Sequence, residues 1–372
     1  MFFHLSVWLK DTPGFSWLNV FRYLSTRVVL STLTALIISF LLSPWFIKKL
    51  KMQQLAQPIR DDGPETHLLK QGTPTMGGTL IIFSLVLPTV LWSNLYNYYV
   101  WSVLAVTISY GILGFIDDYL KITKKSSDGL SGRYKLIFQF AVAVIITYSL
   151  FGTNATGLDE ATRLKLALPV ISIDSYPVLP LIIFILFASI VIVGASNAVN
   201  LTDGLDGLAI GPVILNAFVF MILAYAHGSS IYGKPIANYL KILYIPGVQE
   251  LTIFCGALIG AGIGFLWYNT YPASVFMGDV GSLALGGALG TLAVVTKNEF
   301  LSVIIHGLFL FETVSVILQV GSFKMTGKRI FKMAPVHHHF ELKGWAEPKI
   351  IVRFWIVSVV LALFALATLK MR

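Results

Sequence analysis

Runs of apolar residues long enough to cross a bilayer recur along the whole chain, and a helix needs roughly 20 such residues to span the hydrocarbon core. Ten are found, at 24–47, 74–94, 98–116, 133–151, 177–196, 207–227, 249–268, 280–297, 299–320 and 349–370. In lipid the backbone must satisfy its own polar groups, so such segments form helices that pack on one another. Only 12% of the residues are charged, against about 25% in a typical soluble protein. The expected fold is therefore an all-α polytopic membrane protein of about ten transmembrane helices, a single domain covering 1–372. Outside the spans lie an N-terminal segment (1–23), a long loop (152–176) and a further loop (321–348). The stretch Met1 to Asn19 is broken by Lys10, Asp11, Pro13 and Gly14, which does not suit a cleavable signal. The single cysteine, Cys255, excludes an internal disulfide.

The net charge of +9 does not point to nucleic acid, because the basic residues lie in connections between apolar spans. One set of connections carries Lys48, Lys49, Lys51, Arg60 and Lys70, then Lys121, Lys124, Lys125, Arg133 and Lys135, then Lys324, Lys328, Arg329, Lys332 and Lys343. The opposite set is sparse, with Arg163, Lys165, Lys234, Lys241 and Lys297. The basic side is cytoplasmic, so both termini face outward into the periplasm. Four smaller expectations follow. Residues 170–174 alternate and could form a short hairpin strand. Lys234 to Ile245 reads as a short interfacial helix. Gly256, Gly260 and Gly264, four apart, suit close helix packing. The ninth span carries His306, Glu312 and Gln319 and could be bent or partly re-entrant.

The orientation gathers the unexpected acids on one face. Asp117 and Asp118 end the third span, Asp203 and Asp206 precede the sixth, and Asp279 precedes the eighth. Asp203, Asp206 and Asp279 could simply complement the exposed amides of a helix start. Asp117 and Asp118 are different, since adjacent like charges at the C-terminal end of a helix call for a cation. Lys121 or a divalent metal would supply it, and acids at membrane depth are functional candidates. Oxygen ligands without a cysteine cluster suit Mg²⁺ or Mn²⁺. Zinc is a poor reading of the consecutive His337, His338 and His339, because adjacent side chains rarely converge on one ion. Lys121 and Lys135, with Lys124 and Lys125, suit a phosphorylated substrate, and Gly204, Gly207, Gly278 and Gly281 would permit close backbone approach or simply turn the chain. Acids, lysines and a divalent ion together point to phosphoryl transfer.

Four segments then occur in order: Asp-Asp-Tyr-Leu-Lys from 117, Asn-Ala-Val-Asn-Leu-Thr-Asp-Gly-Leu-Asp-Gly-Leu from 197, Trp-Tyr-Asn-Thr-Tyr-Pro-Ala-Ser-Val-Phe-Met-Gly-Asp-Val-Gly-Ser from 267, and Pro-Val-His-His-His-Phe-Glu from 335. Together they resemble the bacterial phospho-N-acetylmuramoyl-pentapeptide-transferases, within the polyprenyl-phosphate N-acetylhexosamine-1-phosphate transferase superfamily, from about residue 20 to the C-terminus. The resemblance implies an inner-membrane enzyme with an active site on cytoplasmic loops and Mg²⁺ as cofactor. Its partners would be UDP-MurNAc-pentapeptide, undecaprenyl phosphate and membrane lipid, with a homodimer as a further possibility. It implies catalytic roles for Asp117, Asp118, Asp279, Lys121, Lys135 and His337 to His339, with Asp279 and Asp117 holding the metal. A uridine and diphosphate pocket would comprise Asn200, Asp203, Gly204, Leu205, Asp206, Asn269, Phe276 and Gln319.

Two alternatives stand beside this. A related polyprenyl-phosphate GlcNAc-1-phosphate transferase would share the aspartates but not the histidine loop. A secondary transporter would place ionisable groups near the midplane, where Glu312 and His306 are the candidates, and would show an inverted repeat. Which of Asp117 and Asp118 acts as base, and whether a carboxylate attacks phosphorus directly, is open at the level of sequence.

Overall fold

The computed structural model describes residues 1–10, 12, 14–53, 70, 72–124 and 129–371. Asp11, Pro13, Arg60 and Lys125, named above, lie outside the described residues. The chain runs through α1 (Phe2–Trp8), α2 (Leu24–Met52), α3 (Gly78–Trp92), α4 (Tyr98–Lys124), α5 (Gly132–Phe151), α6 (Glu160–Leu164), α7 (Leu181–Thr202), α8 (Ile210–Gly228), α9 (Ile236–Leu240) and α10 (Leu251–Asn269). It continues through α11 (Gly278–Val295), α12 (Leu301–Ile305), α13 (Gly307–Thr326), α14 (Val336–Glu341) and α15 (Glu347–Ala367). Among the described residues nine helices are long and apolar enough to cross a membrane. The second expected span, 74–94, becomes α3, which is apolar but only 15 residues long.

Buried most deeply is α11, whose residues from Val280 to Val295 are all inside the protein. It packs against α4 on one side and α7 on the other, while α10 packs along α2 and α8. Small residues set these distances. A methyl group added at Gly260 would stand 2.1 Å from the Thr32 carbonyl oxygen, and one at Gly264 2.7 Å from Ser39 Cβ. The glycine ladder of the seventh span is thus the α10–α2 seam, as its spacing implied. Ser31 and Ser39 of α2 donate to the Ile253 and Ala261 carbonyls across it, each at 3.1 Å.

The ninth span is broken. Its backbone stops at Ile305 and restarts at Gly307, with His306 at the join. The N-terminal segment is anchored, because the Met1 amino group donates to the carbonyls of Val90 and Leu91 at the end of α3, each at 2.9 Å. Residues 170–174 do not form the expected hairpin strand. Val170 adopts φ +67° and Ile173–Ser175 close a 3₁₀ turn, so the alternating side chains do not lie on an extended backbone. The short helix expected between Lys234 and Ile245 is α9, preceded by a two-residue hairpin ladder.

Candidate active site

The acids meet where α4, α7 and α11 converge. Close approach of α4 to the start of α11 rests on Gly114, where a methyl group would stand 2.2 Å from the Asp279 carbonyl oxygen. At Gly78, the start of α3, a methyl would stand 2.1 Å from the Gly281 nitrogen. One turn beyond Gly114, Asp117 and Asp118 therefore face Asp279. The sequence reading ended the third span at this pair; the helix instead runs on to Lys124, so both aspartates sit inside it. That extension brings Lys121 one turn further along the same face, which is the compensating cation the adjacent acids required.

One carboxylate oxygen from each of Asp117, Asp118 and Asp279 lies within 4.8 Å of the others. Lys121 Nζ is 2.7 Å from Asp117 Oδ2, 2.9 Å from Asp279 Oδ2 and 3.8 Å from Asp118 Oδ1. Lys135, from the first turn of α5, reaches the same two oxygens at 2.8 and 3.0 Å. The Leu130 amide donates to Asp117 Oδ1 at 2.6 Å. Gly129 leaves room for this carboxylate, since a methyl there would stand 2.3 Å from Asp117 Oδ1. Three carboxylates thus share two ammonium groups. All-oxygen donors with negative charge in excess fit a hard divalent cation rather than zinc.

The start of α11 recruits two acids from elsewhere in the chain. Helix N-termini leave amides without intrahelical partners, and here Asp118 Oδ2 accepts from the Val280 amide at 3.3 Å. Asp203, just past the end of α7, lies close to the Gly278 amide. Loss of hydration, together with the nearby carboxylates of Asp279, Asp118 and Asp206, pushes the Asp203 carboxyl well above the usual range. Asp279 lies in the first turn of α11, a position that also suits a helix-dipole role. Its other oxygen is taken up by Asn200, whose amide donates to Asp279 Oδ1 and to Ser282 Oγ, each at 2.8 Å.

The other expected site residues divide by what they touch. Asp206 is buried; one oxygen receives Lys70 at 2.7 Å and the other the Ala273 amide at 2.9 Å. Lys70 also reaches Glu347 at 2.6 Å, and Glu347 accepts from the Asp206 amide at 2.9 Å. Burial opposes the Lys70 charge, but Asp206 and Glu347 outweigh it and raise the lysine above its ordinary pKa. Leu205 points into an apolar cluster with Leu308, Ile350 and Phe354. Asn269 donates to the Val275 carbonyl at 2.9 Å, shaping the turn that presents Phe276. Phe276 is partly exposed, and its backbone exchanges hydrogen bonds with Pro74 and Gly77, at 2.8 and 2.9 Å. Gln319 lies away from the acids' hydrogen bonds; it holds the loop at Ile330 and Phe331 by three bonds of 2.9–3.1 Å.

The three histidines do not act alike. His337 is fully buried, with Nδ1 3.2 Å from Glu312 Oε2. His338 pairs with Glu341 at 2.7 Å. His339 Nδ1 accepts from the Lys332 amide at 3.0 Å, fastening the loop before α14. Sequence reasoning missed Glu347 and Thr75. Thr75 is buried against the Gly278 turn, its hydroxyl without a hydrogen-bond partner. An acid immediately before Pro348, at the start of the last helix, was the available signal for Glu347.

With this geometry in place, comparison with known proteins is informative. The profile of glycosyl transferase family 4 matches residues 100–297, a stretch containing Asp117, Asp118, Asp203, Asp206 and Asp279. Signature 1 of the phospho-N-acetylmuramoyl-pentapeptide-transferases matches residues 70–82, from Lys70 into α3. The chain is 57% identical to the phospho-N-acetylmuramoyl-pentapeptide-transferase of Sorangium cellulosum (strain So ce56), over 100% of both proteins. It is 55% identical to that of Syntrophus aciditrophicus (strain SB), again over 100% of both. For Citrifermentans bemidjiense the identity is 55% over 95% of this chain and 96% of the relative. The similarity extends through the N-terminal twenty residues, which the motif resemblance had not reached. The chain belongs to the phospho-N-acetylmuramoyl-pentapeptide-transferase family, within glycosyl transferase family 4.

Proposed function

We propose that the chain transfers phospho-MurNAc-pentapeptide from UDP-MurNAc-pentapeptide to undecaprenyl phosphate, giving lipid I and UMP at the cytoplasmic face of the inner membrane. The observation that carries this reading is the convergence of Asp117, Asp118 and Asp279 with Lys121 and Lys135 at one end of the bundle. Both substrates are phosphorylated, so the reaction must bring like charges together, and positioning with charge neutralisation supplies most of the catalysis. Mg²⁺ held by Asp279 and Asp117 would polarise the diphosphate oxygens and offset their charge. Asn200 fixes the orientation of Asp279 for that task.

Asp117 is held by Lys121, Lys135 and the Leu130 amide. Asp118 has only a long amide contact and Lys121 at 3.8 Å, so it is the freer base for the acceptor phosphate. An acceptor oxygen then bonds to the β-phosphorus while the bond from that phosphorus to the bridging oxygen breaks, and UMP departs. Lys121 and Lys135 neutralise the oxygens of both partners. The Asp203–Asp206 turn, Asn269 and Phe276 shape the nucleoside pocket. The outward side chains of α13, among them Phe311, Ile317 and Leu318, offer an apolar surface to the prenyl tail.

Release of UMP by the purified protein, supplied with undecaprenyl phosphate and either UDP-MurNAc-pentapeptide or UDP-GlcNAc, tests this directly. Turnover with the GlcNAc nucleotide alone would move the chain to the related transferase branch, and no UMP from either would end the enzymatic reading. Asp118→Asn is expected to keep nucleotide affinity while stopping turnover. Inversion at the transferred phosphorus would support direct attack, whereas retention would indicate a covalent carboxylate intermediate.

A further inference from the structure

Glu312 has no part in the transfer as described, yet α13 buries it completely in the helix it shares with the bare apolar face. A carboxylate at that depth is costly without a partner. Its Oε2 lies 3.2 Å from His337 Nδ1 and accepts from the His337 backbone amide at 3.5 Å. The opposite edge of the same imidazole rests on Gly204: a methyl group there would stand 2.3 Å from His337 Nε2. Both ring nitrogens are buried and neither makes a hydrogen bond, so the 3.2 Å approach of Nδ1 to Glu312 is an electrostatic contact. Gly204 follows Asp203, which lies close to the Gly278 amide beside Asp279. Glu312, His337, the Asp203–Gly204 turn and the start of α11 therefore form one continuous line of contact, from the lipid side of the bundle to the acids.

We propose that Glu312 is a positioning residue for the transfer reaction. Its charge beside Nδ1 favours the proton on that nitrogen and so biases the tautomer, leaving Nε2 facing the turn that receives the nucleoside diphosphate. An acceptor-only carboxylate can perform this role, because whichever ring nitrogen bonds to it determines the state of the other. Like Nδ1, the buried Nε2 has hydrogen-bonding capacity that no group in the protein consumes, and of the two it is Nε2 that faces the Asp203–Gly204 turn. A purely structural tie between α13 and α14 would need neither the fixed ring nor the free nitrogen. The inference rests on the transferase reading above.

The test is a double-mutant cycle on the full-length protein in detergent with added lipid, comparing Glu312→Ala, His337→Ala, their combination and Glu312→Gln. UMP release gives kcat and KM, thermal unfolding gives stability, and ¹⁵N-histidine NMR reads the His337 tautomer, its signal assigned by loss in His337→Ala. Glu312→Ala is expected to lower kcat about 10- to 100-fold, the usual scale for a group that orients another, with KM for the nucleotide little changed. The double variant should be no worse than His337→Ala alone, because the two act as a unit. Glu312→Gln, whose amide oxygen can still accept from Nδ1, should restore most of kcat and preserve the wild-type tautomer. Losses that multiply in the double variant would overturn the proposal. So would an unchanged tautomer in Glu312→Ala, or a loss of kcat in both Glu312 variants that simply follows falling stability. A wild-type protein that releases no UMP would refute the transferase reading instead, while the NMR arm would still judge the hold of Glu312 on His337.

Discussion

At the end of the bundle away from the acids, Arg27 meets Glu250 with both terminal nitrogens 2.7 Å from the two carboxylate oxygens. Glu250 also accepts the Asn94 amide at 2.9 Å, and the guanidinium lies 4.5 Å from the Phe3 ring centre. One cation faces one anion in fork geometry, and no charge is left to attract a ligand. The cluster around Asp279 is also largely buried but differently balanced. Asp117, Asp118 and Asp279 face Lys121 and Lys135, and single oxygens are shared between ammonium groups. A closed pair of charges holds helices together, whereas an unbalanced cluster can also take up a cation and a phosphate. The count of charges against partners, more than burial, separates a structural ion pair from a reactive site.

Four changes would break or sharpen that contrast. Asp279→Ala should cost about 10³-fold or more in UMP release, as loss of a principal electrostatic group does, even at high Mg²⁺ and with unfolding little altered. Near-normal turnover would remove Asp279 from the metal site. Arg27→Ala should do the reverse. Stranding Glu250 should lower unfolding stability by about 3–5 kcal/mol in a denaturant titration, while kcat per folded molecule stays near wild type. Gly114→Ala probes the spacing that brings α4 to α11. A displacement on the order of 1 Å costs about 100-fold, so kcat should fall by that order with nucleotide binding, followed by calorimetry, largely kept.

The smallest effect concerns a second pair at the quiet end, in the turn between α11 and α12. Burial, partly offset by Lys297, raises Glu299 from its ordinary value to about 7, and both its oxygens lack hydrogen-bond partners. Because the folded state holds this proton more tightly than the unfolded chain, ionising Glu299 costs stability as pH rises from about 4.5 towards 7. Glu299→Gln should therefore raise the unfolding temperature relative to wild type at pH 8 and leave it unchanged near pH 4. An equal gain at both pH values would show that the carboxylate charge is not the cause.

Much of this was legible in the chain itself. The spans depend on local apolar composition, so eight of the ten expected passages are single helices long enough to cross a membrane, while α3 proved short and the ninth is a broken passage, as its polar residues allowed. The glycine ladder disclosed the α10–α2 seam because a packing distance follows directly from missing side chains. Asp117 and Asp118 stood out because like charges side by side on a helix need an explanation, and Lys121 supplied part of it.

What the sequence by itself determined was a bundle of apolar helices, the acids within it and the family those motifs belong to. Tertiary structure alone decided which groups share a proton or a charge. It gave Asn200 to Asp279, Lys70 and Glu347 to Asp206, and Glu312 to His337. The physical reason is separation: these partners lie 25 to 141 residues apart in the chain, beyond any local pattern. Only helices brought close at small residues such as Gly114 and Gly204 put their atoms within reach of one another.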